Sequence, residues 1–552
     1  MIAALCAAVL AGIDWGLPAR TSDQYLFGMR SAWTGAELAA YDRDRTSAAI
    51  GADVDRDPID RSRGPITVNQ DDQLRGQILR RYRLFSNQPD EMITFMALQQ
   101  MNPADRDFDP RLYQYGGLWT YGVGALLKSA ATVGLVELRA DVAHYYDNPA
   151  AFGRFYIVAR AYTLFWYAVL LIAVAMIARG LSGAGLPAIT AAALVGLAPV
   201  VFATAHEAKP HLAGAALMCL ACLGAARWIA TGRHRDASLA GALCGLCAGM
   251  ILSASVVAVL LLVMIFLRPG SARQRLAALA LGITAMVAAY AITNPYVVIH
   301  LVNDRAALTS NFINTKAMYA SGPIGASAIA AAWHFFKAAS LPLLALGAAA
   351  IIAVLARRPR VMPIAVLLVA PALIVLVPFV VYAAQKPGEY ARFAVYPVVV
   401  LAILGSVALS VISRAWMRLA TAMLVCAAVA VFGTRAYVIA FAADTQHENT
   451  RLITAARLDA LWHPGKTLQI FADPAPYSLP PVGLWRWRIN LTLPTAPLTG
   501  DVVIRPVDDP RRQTIWVPGY TREVIDLGQP LAPITWANKP FELLIRDRAE
   551  AE

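Results

Sequence analysis

Long apolar runs separated by short loops constrain this chain more than any other feature. Most of the runs have the length of a membrane-spanning helix, about 20 residues. They cover 156–178, 186–205, 211–230, 237–267, 276–293, 339–356, 361–384, 392–412 and 416–438. The run 237–267 is too long for one straight span and predicts two short ones that turn near Leu252 and Ser253. With a shorter apolar segment at 1–13, the sequence predicts about eleven spans.

Composition supports a membrane protein. The chain has 552 residues, of which 58% are hydrophobic and 15% are charged, whereas a soluble domain carries about 25% charged residues. The net charge of +12 comes from arginines scattered among short loops, which membrane topology explains better than nucleic-acid binding. We therefore expect an all-α polytopic membrane protein.

Arginines flank alternate loops and predict the orientation in the membrane. They are Arg179, Arg233, Arg235, Arg268, Arg273, Arg275, Arg357, Arg358, Arg360, Arg414 and Arg418. Because cytoplasmic loops retain Arg and Lys, placing all of them in the cytoplasm gives one consistent topology in a cell (inner) membrane. The moderately apolar segment 115–136 is then expected to lie at the membrane surface or to re-enter, since a span there would turn the basic loops outward.

This topology divides the chain into four parts. Residues 1–13 form a first span that is short enough to be truncated at its start, and 14–155 form a large extracytoplasmic loop with surface-lying helices. Residues 156–440 form the multi-span region, and 441–552 form a small α/β or β-rich extracytoplasmic domain. The most charged stretch, 42–72, is expected to be a mobile insert. The predicted strands of the C-terminal domain lie at Thr467–Phe471, Trp485–Leu493 and Phe541–Ile545.

Two CxxC pairs occur within predicted spans, Cys219 with Cys222 and Cys244 with Cys247. In a soluble ribbon this spacing would indicate zinc. Here the neighbours are Ala, Leu and Gly, so packing of small residues between helices is favoured over a metal site.

Acidic and aromatic residues collect in the first outer loop. A predicted helix over 92–101 is preceded by Gln88-Pro89-Asp90-Glu91. Acids in a first turn stabilise a helix by about 0.3–1 kcal/mol, so helix capping is one interpretation. The residues that follow favour a shaped surface loop instead: Asn102-Pro103, Asp107-Phe108-Asp109-Pro110 and Tyr113-Gln114-Tyr115-Gly116-Gly117-Leu118.

Three later outer loops carry polar residues at the ends of spans. The first is 206–210, with His206, Glu207 and Lys209, for which a solvated turn is the alternative to a functional site. The second follows Asn294-Pro295 and includes Tyr296, and the third, 385–393, includes Lys386, Tyr390 and Arg392. Anchoring at the membrane interface is the alternative for the third loop.

These motifs resemble the GT-C superfamily of membrane glycosyltransferases, in its bacterial branch of protein-mannosyltransferases and aminoarabinose transferases. The resemblance covers roughly residues 1–440 and rests on the acidic pair in the first outer loop, on Asn102-Pro103 and on 113–118, together with a late Arg-aromatic motif ending in Pro397. There are departures, because Gln88 stands where the family has His, and the second outer loop has Glu207 and Lys209 in place of the more usual Arg/Lys-Pro-Asp arrangement.

The resemblance implies a mechanism and a set of roles. The donor would be a sugar, hexosyl or pentosyl, on a polyprenyl phosphate, and Asp90 would act as general base on the acceptor hydroxyl with inversion at the anomeric carbon. Arg392, Lys386 and Lys209 would hold the leaving phosphate, while Glu91 and Glu207 would orient the acceptor or a divalent metal. Further donor or acceptor contacts are assigned to His206, Tyr113, Tyr115, Tyr296 and Tyr390. The acceptor, a glycan, lipid or protein hydroxyl, stays open.

A secondary transporter or lipid flippase is the main alternative. Such a protein predicts broken helices and ionisable residues at mid-membrane, whereas the ionisable residues of this chain cluster at span ends on one side.

Overall fold

The apolar runs form a bundle of helices, and the C-terminal tail forms a sheet. The computed structural model describes residues 1–41, 66–67, 71–317, 322–356, 358–382, 389–493, 495–507, 517–526 and 534–547. Its helices are α1 Ile2–Leu10, α2 Asp23–Leu26, α3 Asp72–Leu84, α4 Glu91–Gln99, α5 Gly117–Thr132, α6 Val142–Asp147, α7 Pro149–Ser182, α8 Gly185–Leu197, α9 Pro199–Ala205, α10 His211–Thr231, α11 His234–Met250, α12 Val259–Leu267, α13 Ala272–Thr293, α14 Pro295–Asn303, α15 Arg305–Ala317, α16 Ile324–Ala339, α17 Leu341–Ala356, α18 Arg358–Tyr382, α19 Val395–Ala408, α20 Ala415–Val429, α21 Arg435–Ala443 and α22 Thr450–Leu461.

Within the described residues, six helices are long and apolar enough to cross a membrane. They are Pro149–Ser182, His211–Thr231, Ala272–Thr293, Met362–Tyr382, Ala391–Val411 and Ala415–Ala443. Two bent pairs, α8 with α9 (66°) and α16 with α17 (98°), raise the number to eight if each pair is one span. The expected number of about eleven also counts short helices, such as α1 with nine residues and α11 with 17.

The long run 237–267 divides as the sequence predicts. Helix α11 ends at Met250, Ile251 is extended, and a 3₁₀ helix begins at Leu252. Small residues let α11 approach α13 closely, since a Cβ on Gly241 would lie 2.0 Å from the carbonyl oxygen of Gly282. The four CxxC cysteines are buried in the same part of the bundle.

Helix α5 occupies the ambiguous segment 115–136. Its 16 residues are fewer than the roughly 20 that a span needs. The backbone N–H of Gly116 donates to the carbonyl of Met250 at 3.1 Å, and that of Gly117 donates to Oδ1 of Asn294 at 2.7 Å. Helix α5 therefore begins where α11 and α13 end.

The C-terminal residues form a small α/β domain. Its six-stranded sheet has the order β1-β3-β2-β4-β6-β5, with β2 parallel to β3 and β4 and the remaining pairs antiparallel. The strands are β1 Ile66–Thr67, β2 Thr467–Ile470, β3 Arg488–Leu491, β4 Val502–Pro506, β5 Tyr520–Ile525 and β6 Phe541–Arg546. The three strands expected from the sequence correspond to β2, β3 and β6. Together with the apolar helices, they confirm the expected fold, a helical membrane protein with a small C-terminal sheet.

Strand β1 was not expected, because it comes from the first outer loop. Ile66 pairs with Leu491 of β3, so the segments 14–155 and 441–552 share one sheet. Apart from 66–67 and 71–72, the predicted mobile insert 42–72 lies outside the described residues.

Side chains also join the first loop to the C-terminal segment, next to the acidic motif. The hydroxyl of Tyr82 donates to the carbonyls of Leu479 and Pro480 at 3.1 and 3.0 Å. Nδ2 of Asn87 donates to the buried carboxylate of Asp444 at 3.1 Å. These bonds hold the segment between α3 and Asp90 against the C-terminal segment.

Candidate active site

Asp90 lies in the turn before α4, and its carboxylate faces the membrane bundle. It is the N-cap residue of α4, yet its side chain makes no capping hydrogen bond to the described residues of that helix. Its Oδ2 instead accepts from Nζ of Lys209 at 3.0 Å and from Nη1 of Arg392 at 3.1 Å. The carboxylate of Asp90 is therefore paired with two cations, although its position at the start of α4 is also the one that favours an acid through the helix dipole.

Lys209 reaches Asp90 from the loop between α9 and α10. This loop follows the 66° bend between α8 and α9, where Ala198 is extended and Pro199 begins the new helix. Nζ of Lys209 also lies 3.3 Å from Oε2 of Glu207. One ammonium group therefore bridges two carboxylates, and the loop is buried rather than the solvated turn that the sequence allowed.

Arg392 reaches the same oxygen of Asp90 from another part of the chain. It lies in a 3₁₀ helix, Glu389–Ala394, directly before α19, and its side chain is 15% exposed. Of the other residues assigned to this loop, Lys386 lies outside the described residues, and only the backbone of Tyr390 is described.

Burial and the two cations set the charge state of the cluster. Burial raises the pKa of Asp90, but Lys209 and Arg392 outweigh it, so the pKa lies well below its ordinary value. Burial raises the pKa of Glu207 and Lys209 opposes this only in part, so the pKa stays above its ordinary value. Burial lowers the pKa of Lys209, but the negative charges of Asp90 and Glu207 raise it by a larger amount, so the net shift of the pKa is upward. At neutral pH, Asp90 and Lys209 are therefore charged.

Glu91 points away from the cluster into a fully buried ion pair with Arg160 of α7. Nε and Nη2 of Arg160 each donate to one Glu91 oxygen at 2.8 Å, which is the two-pronged geometry favoured by a guanidinium. Glu91 also accepts from the hydroxyl of Ser86 at 2.5 Å and from the backbone N–H of Ala208 at 2.7 Å. The predicted acceptor-orienting residue thus ties the Asp90 turn to the Lys209 loop.

Tyr115 and His211 complete the surroundings of Asp90. Burial raises the pKa of Tyr115 well above its ordinary value, and the charges of Asp90, Arg392 and Glu207 also act on it. The Tyr115 ring lies edge-on to the imidazole of His211, with 6.4 Å between the ring centroids. The sequence placed Tyr115 at the site, and the structure brings it there.

His206 does not join the cluster. Its imidazole stacks on Phe441 with 4.0 Å between ring centroids, and its Nδ1 lies 2.9 Å from the carbonyl of Phe202. Burial lowers the pKa of His206 to about 4. The sequence predicted that His206 contacts the donor or acceptor, but the turn directs His206 to the interior and Lys209 to Asp90. His206 therefore does not face the cluster.

Tyr113 and Tyr296 belong to a second polar cluster on the outer loop. The hydroxyl of Tyr113 donates to Oδ1 of Asp109 at 2.6 Å, and Nε2 of His300 lies 2.7 Å from Oδ2 of the same carboxylate. The hydroxyl of Tyr296 accepts from the backbone N–H of Phe108 at 3.0 Å. These bonds attach the loop that precedes Tyr115 to α14.

The described residues do not suit a divalent metal. They contain no group of three or more His, Cys, Asp or Glu side chains placed to hold a metal ion. The acids of the site are already matched by cations, with Lys209 between Asp90 and Glu207 and with Arg160 on Glu91.

Arg160 and His211 were missed at the sequence level. A signal for Arg160 existed, because it is an arginine inside the apolar run 156–178, and ionisable residues within spans are usually functional. His211 directly follows the 206–210 loop, but a single histidine at a span start carries no specific pattern.

Comparison with known proteins gives matches at the level of structure. No family model matches the chain, and no curated protein matches it in sequence. Among solved structures it is similar to ArnT from Cupriavidus metallidurans in the apo state, with a TM-score of 0.44 at 14% identity over 84% of this chain and 93% of that one. The same enzyme bound to undecaprenyl phosphate gives 0.39 at 16% identity over 82% and 96%.

A third match is the Archaeoglobus fulgidus oligosaccharyltransferase in complex with zinc and sulfate. Its TM-score is 0.36 at 14% identity, over 74% of this chain and 58% of the archaeal enzyme. The chain thus spans little more than half the length of that protein. All three matched structures are GT-C glycosyltransferases, the class that the sequence motifs resemble. Likenesses with such TM-scores do not fix an activity, which depends on the residues of the site.

Proposed function

We propose that this chain is a membrane glycosyltransferase that moves a sugar from a polyprenyl phosphate to an acceptor hydroxyl at the outer face of the membrane. The observation that carries the proposal is the convergence of Asp90, Lys209 and Arg392. One carboxylate from the first loop meets two cations from two other loops, within 3.0 and 3.1 Å.

The two cations suit a phosphate leaving group. When the bond from the sugar to the phosphate breaks, negative charge develops on the phosphate oxygens. A guanidinium can pair with two of these oxygens at once, and an ammonium adds a compact second charge. Lys209 lies in a buried loop, and Arg392 lies in the 3₁₀ helix directly before α19, so both cations can stabilise this charge with little reorganisation.

The carboxylate suits a general base. Asp90 is ionised at neutral pH, so it can accept the proton of the acceptor hydroxyl as that oxygen attacks the anomeric carbon. Attack from the side opposite to the phosphate would invert the carbon. When the donor phosphate engages Lys209 and Arg392, it shares both cations with Asp90, and this sharing raises the basicity of the carboxylate while Asp90 stays ionised.

The single experiment is a transfer assay on the purified chain. Polyprenyl-phosphate sugars, including mannosyl and aminoarabinosyl donors, are incubated with the protein in detergent. Release of free polyprenyl phosphate is measured, with and without a membrane extract as source of acceptor. We expect acceptor-dependent release with at least one donor. The proposal would be refuted if every donor stayed intact with every extract.

A secondary transporter is the second candidate, and the two bent helix pairs favour it. Discontinuous helices form substrate sites in many transporters. In sealed vesicles, a transporter or flippase would move a lipid phosphate across the membrane without breaking the bond to its sugar, which separates it from a transferase.

A further inference from the structure

The four ionisable side chains that meet in the described part of the site carry balanced charges when Glu207 is ionised. Asp90 and Glu207 then supply two negative charges, and Lys209 and Arg392 supply two positive charges. Their side chains are 18%, 8%, 7% and 15% exposed, respectively. The neighbouring pair of Glu91 with Arg160 is neutral as well. The two cations that would bind a phosphate are therefore already balanced.

A phosphodiester donor would add one negative charge to this neutral, buried group. An uncompensated charge away from water costs several kcal/mol, and proteins usually avoid that cost by a change of protonation. One of the two carboxylates is therefore expected to lose its charge when the phosphate binds.

Geometry favours Glu207 over Asp90 as the group that takes up the proton. Oδ2 of Asp90 touches both cations, whereas Glu207 forms an ion pair, among the described residues, with Lys209 alone, at 3.3 Å. A phosphate at Lys209 would take away this partner. Burial already raises the pKa of Glu207, and Glu91 from the start of α4 raises it further.

The other groups around Glu207 do not replace the lost cation. Asp90 adds negative charge, and the amide of Gln88 is uncharged. Arg160 is engaged by both oxygens of Glu91. Tyr115 and His211 are further ionisable neighbours of the cluster in the described residues, and their rings pack edge-on against each other.

We propose that the donor phosphate binds together with one proton, which Glu207 carries. This inference rests on the proposed function and adds a proton as an obligatory partner of the donor. On binding, a phosphate oxygen takes the place of Glu207 at Lys209, and Glu207 becomes neutral. Asp90 stays ionised and later accepts the proton of the acceptor hydroxyl, so Glu207 is a positioning residue that sets the charge of the site.

Linkage gives the sign of the effect. If the complex holds one proton more than the free protein, affinity rises as pH falls, by up to tenfold per pH unit. This slope applies between the pKa of Glu207 in the free protein and its higher pKa in the complex. Below that interval the affinity is constant, because Glu207 is already protonated.

The test uses a polyprenyl methyl phosphodiester, which has no sugar to transfer and whose phosphate stays monoanionic above pH 5. Its Kd is measured by calorimetry on the purified full chain from pH 5 to 9. We expect the Kd of the wild type to rise about tenfold per pH unit over part of this range. Glu207→Gln should bind tightly throughout, without that slope. Glu137→Gln, which changes an acid of the first outer loop that is 51% exposed, should keep the slope.

Repeating the titration in buffers of different ionisation enthalpy counts the protons directly. The wild type should take up about one proton within the sloping interval, and Glu207→Gln none. A pH-independent Kd with no proton uptake in the wild type would overturn the inference, as would a Glu207→Gln variant that keeps the slope. If that variant does not fold, the wild-type proton count decides alone.

A probe that fails to bind at any pH, in a protein that also transfers no sugar, would refute the proposed function along with the inference. Transfer and binding without proton uptake would refute the inference alone.

Discussion

The buried ion pair of Arg160 with Glu91 gives the sharpest prediction about stability. Both side chains are fully buried, and the guanidinium also donates through Nη1 to the carbonyls of Ile13 and Trp15, at 2.8 and 2.7 Å. The change Arg160→Met keeps an apolar stem of similar length but leaves the Glu91 carboxylate without its cation. We expect it to lower the free energy of unfolding strongly.

The magnitude follows from the buried charge. Removing one partner of a buried pair costs about 3–5 kcal/mol, whereas replacing both partners is often close to neutral. The double change Glu91→Gln with Arg160→Met should therefore recover the part of the loss that comes from the unpaired carboxylate. Recovery should stay incomplete, because the carbonyls of Ile13 and Trp15 still lack their donor, and each costs about 1–3 kcal/mol.

The assay is denaturant unfolding of the purified chain in mixed detergent micelles, followed by tryptophan fluorescence. The four proteins of the double-mutant cycle are compared, and the coupling energy should reach at least about 2 kcal/mol. Arg154→Met is the matched control: it makes the same change on the exposed side of α7 and should stay within about 0.5 kcal/mol of the wild type. A single Arg160→Met variant as stable as the wild type would refute the reasoning.

Three further predictions concern the phosphate, the interior and the topology. Arg392→Lys keeps the charge but loses the planar fork, so turnover at saturating donor should fall at least about tenfold, and near-normal turnover would move the phosphate role elsewhere. His206→Phe keeps the stack on Phe441, so transfer should persist if His206 does not touch substrate. The pKa of His206 is about 4 in the folded protein and about 6.5 in the unfolded chain. The wild type should therefore lose up to about 1.4 kcal/mol of stability per pH unit as the pH falls from the unfolded to the folded value. Unfolding titrations should show a weaker loss in His206→Phe, and an equal loss would contradict the burial of a neutral imidazole. Val524→Cys, on an exposed position of β5, should react with an impermeant thiol reagent in cells with a permeabilised outer barrier, while His234→Cys on the predicted cytoplasmic side should not; the reverse pattern would overturn the orientation.

The sequence predicts the fold well where hydrophobic periodicity carries the signal. The break in 237–267 and the three strands at 467, 485 and 541 all follow from local patterns, and the structure has them. Strand β1 could not be predicted in the same way, because two residues of a polar insert have no pattern of their own and pair only with a partner more than 400 positions away.

The candidate site could be predicted in part. Asp90 of the first loop meets the charged residues at later span ends, Lys209, Glu207 and Arg392, in a single cluster. What the sequence does not encode is the direction of each side chain within a turn. His206 and Lys209 are three positions apart but face different neighbours, and Glu91 is adjacent to Asp90 but faces Arg160.

The most direct test of the account is the turnover of Asp90→Asn. The substitution keeps the size of the side chain and removes its basicity, and a general base contributes about 10²–10⁴-fold in rate. We therefore predict at least a roughly hundredfold loss of kcat, with donor binding retained, since Lys209 and Arg392 then lack one competing carboxylate. Asp105→Asn, an exposed acid of the same loop, should leave turnover unchanged. Purified Asp90→Asn protein with wild-type turnover on its lipid-linked donor would remove Asp90 from the mechanism and contradict the account.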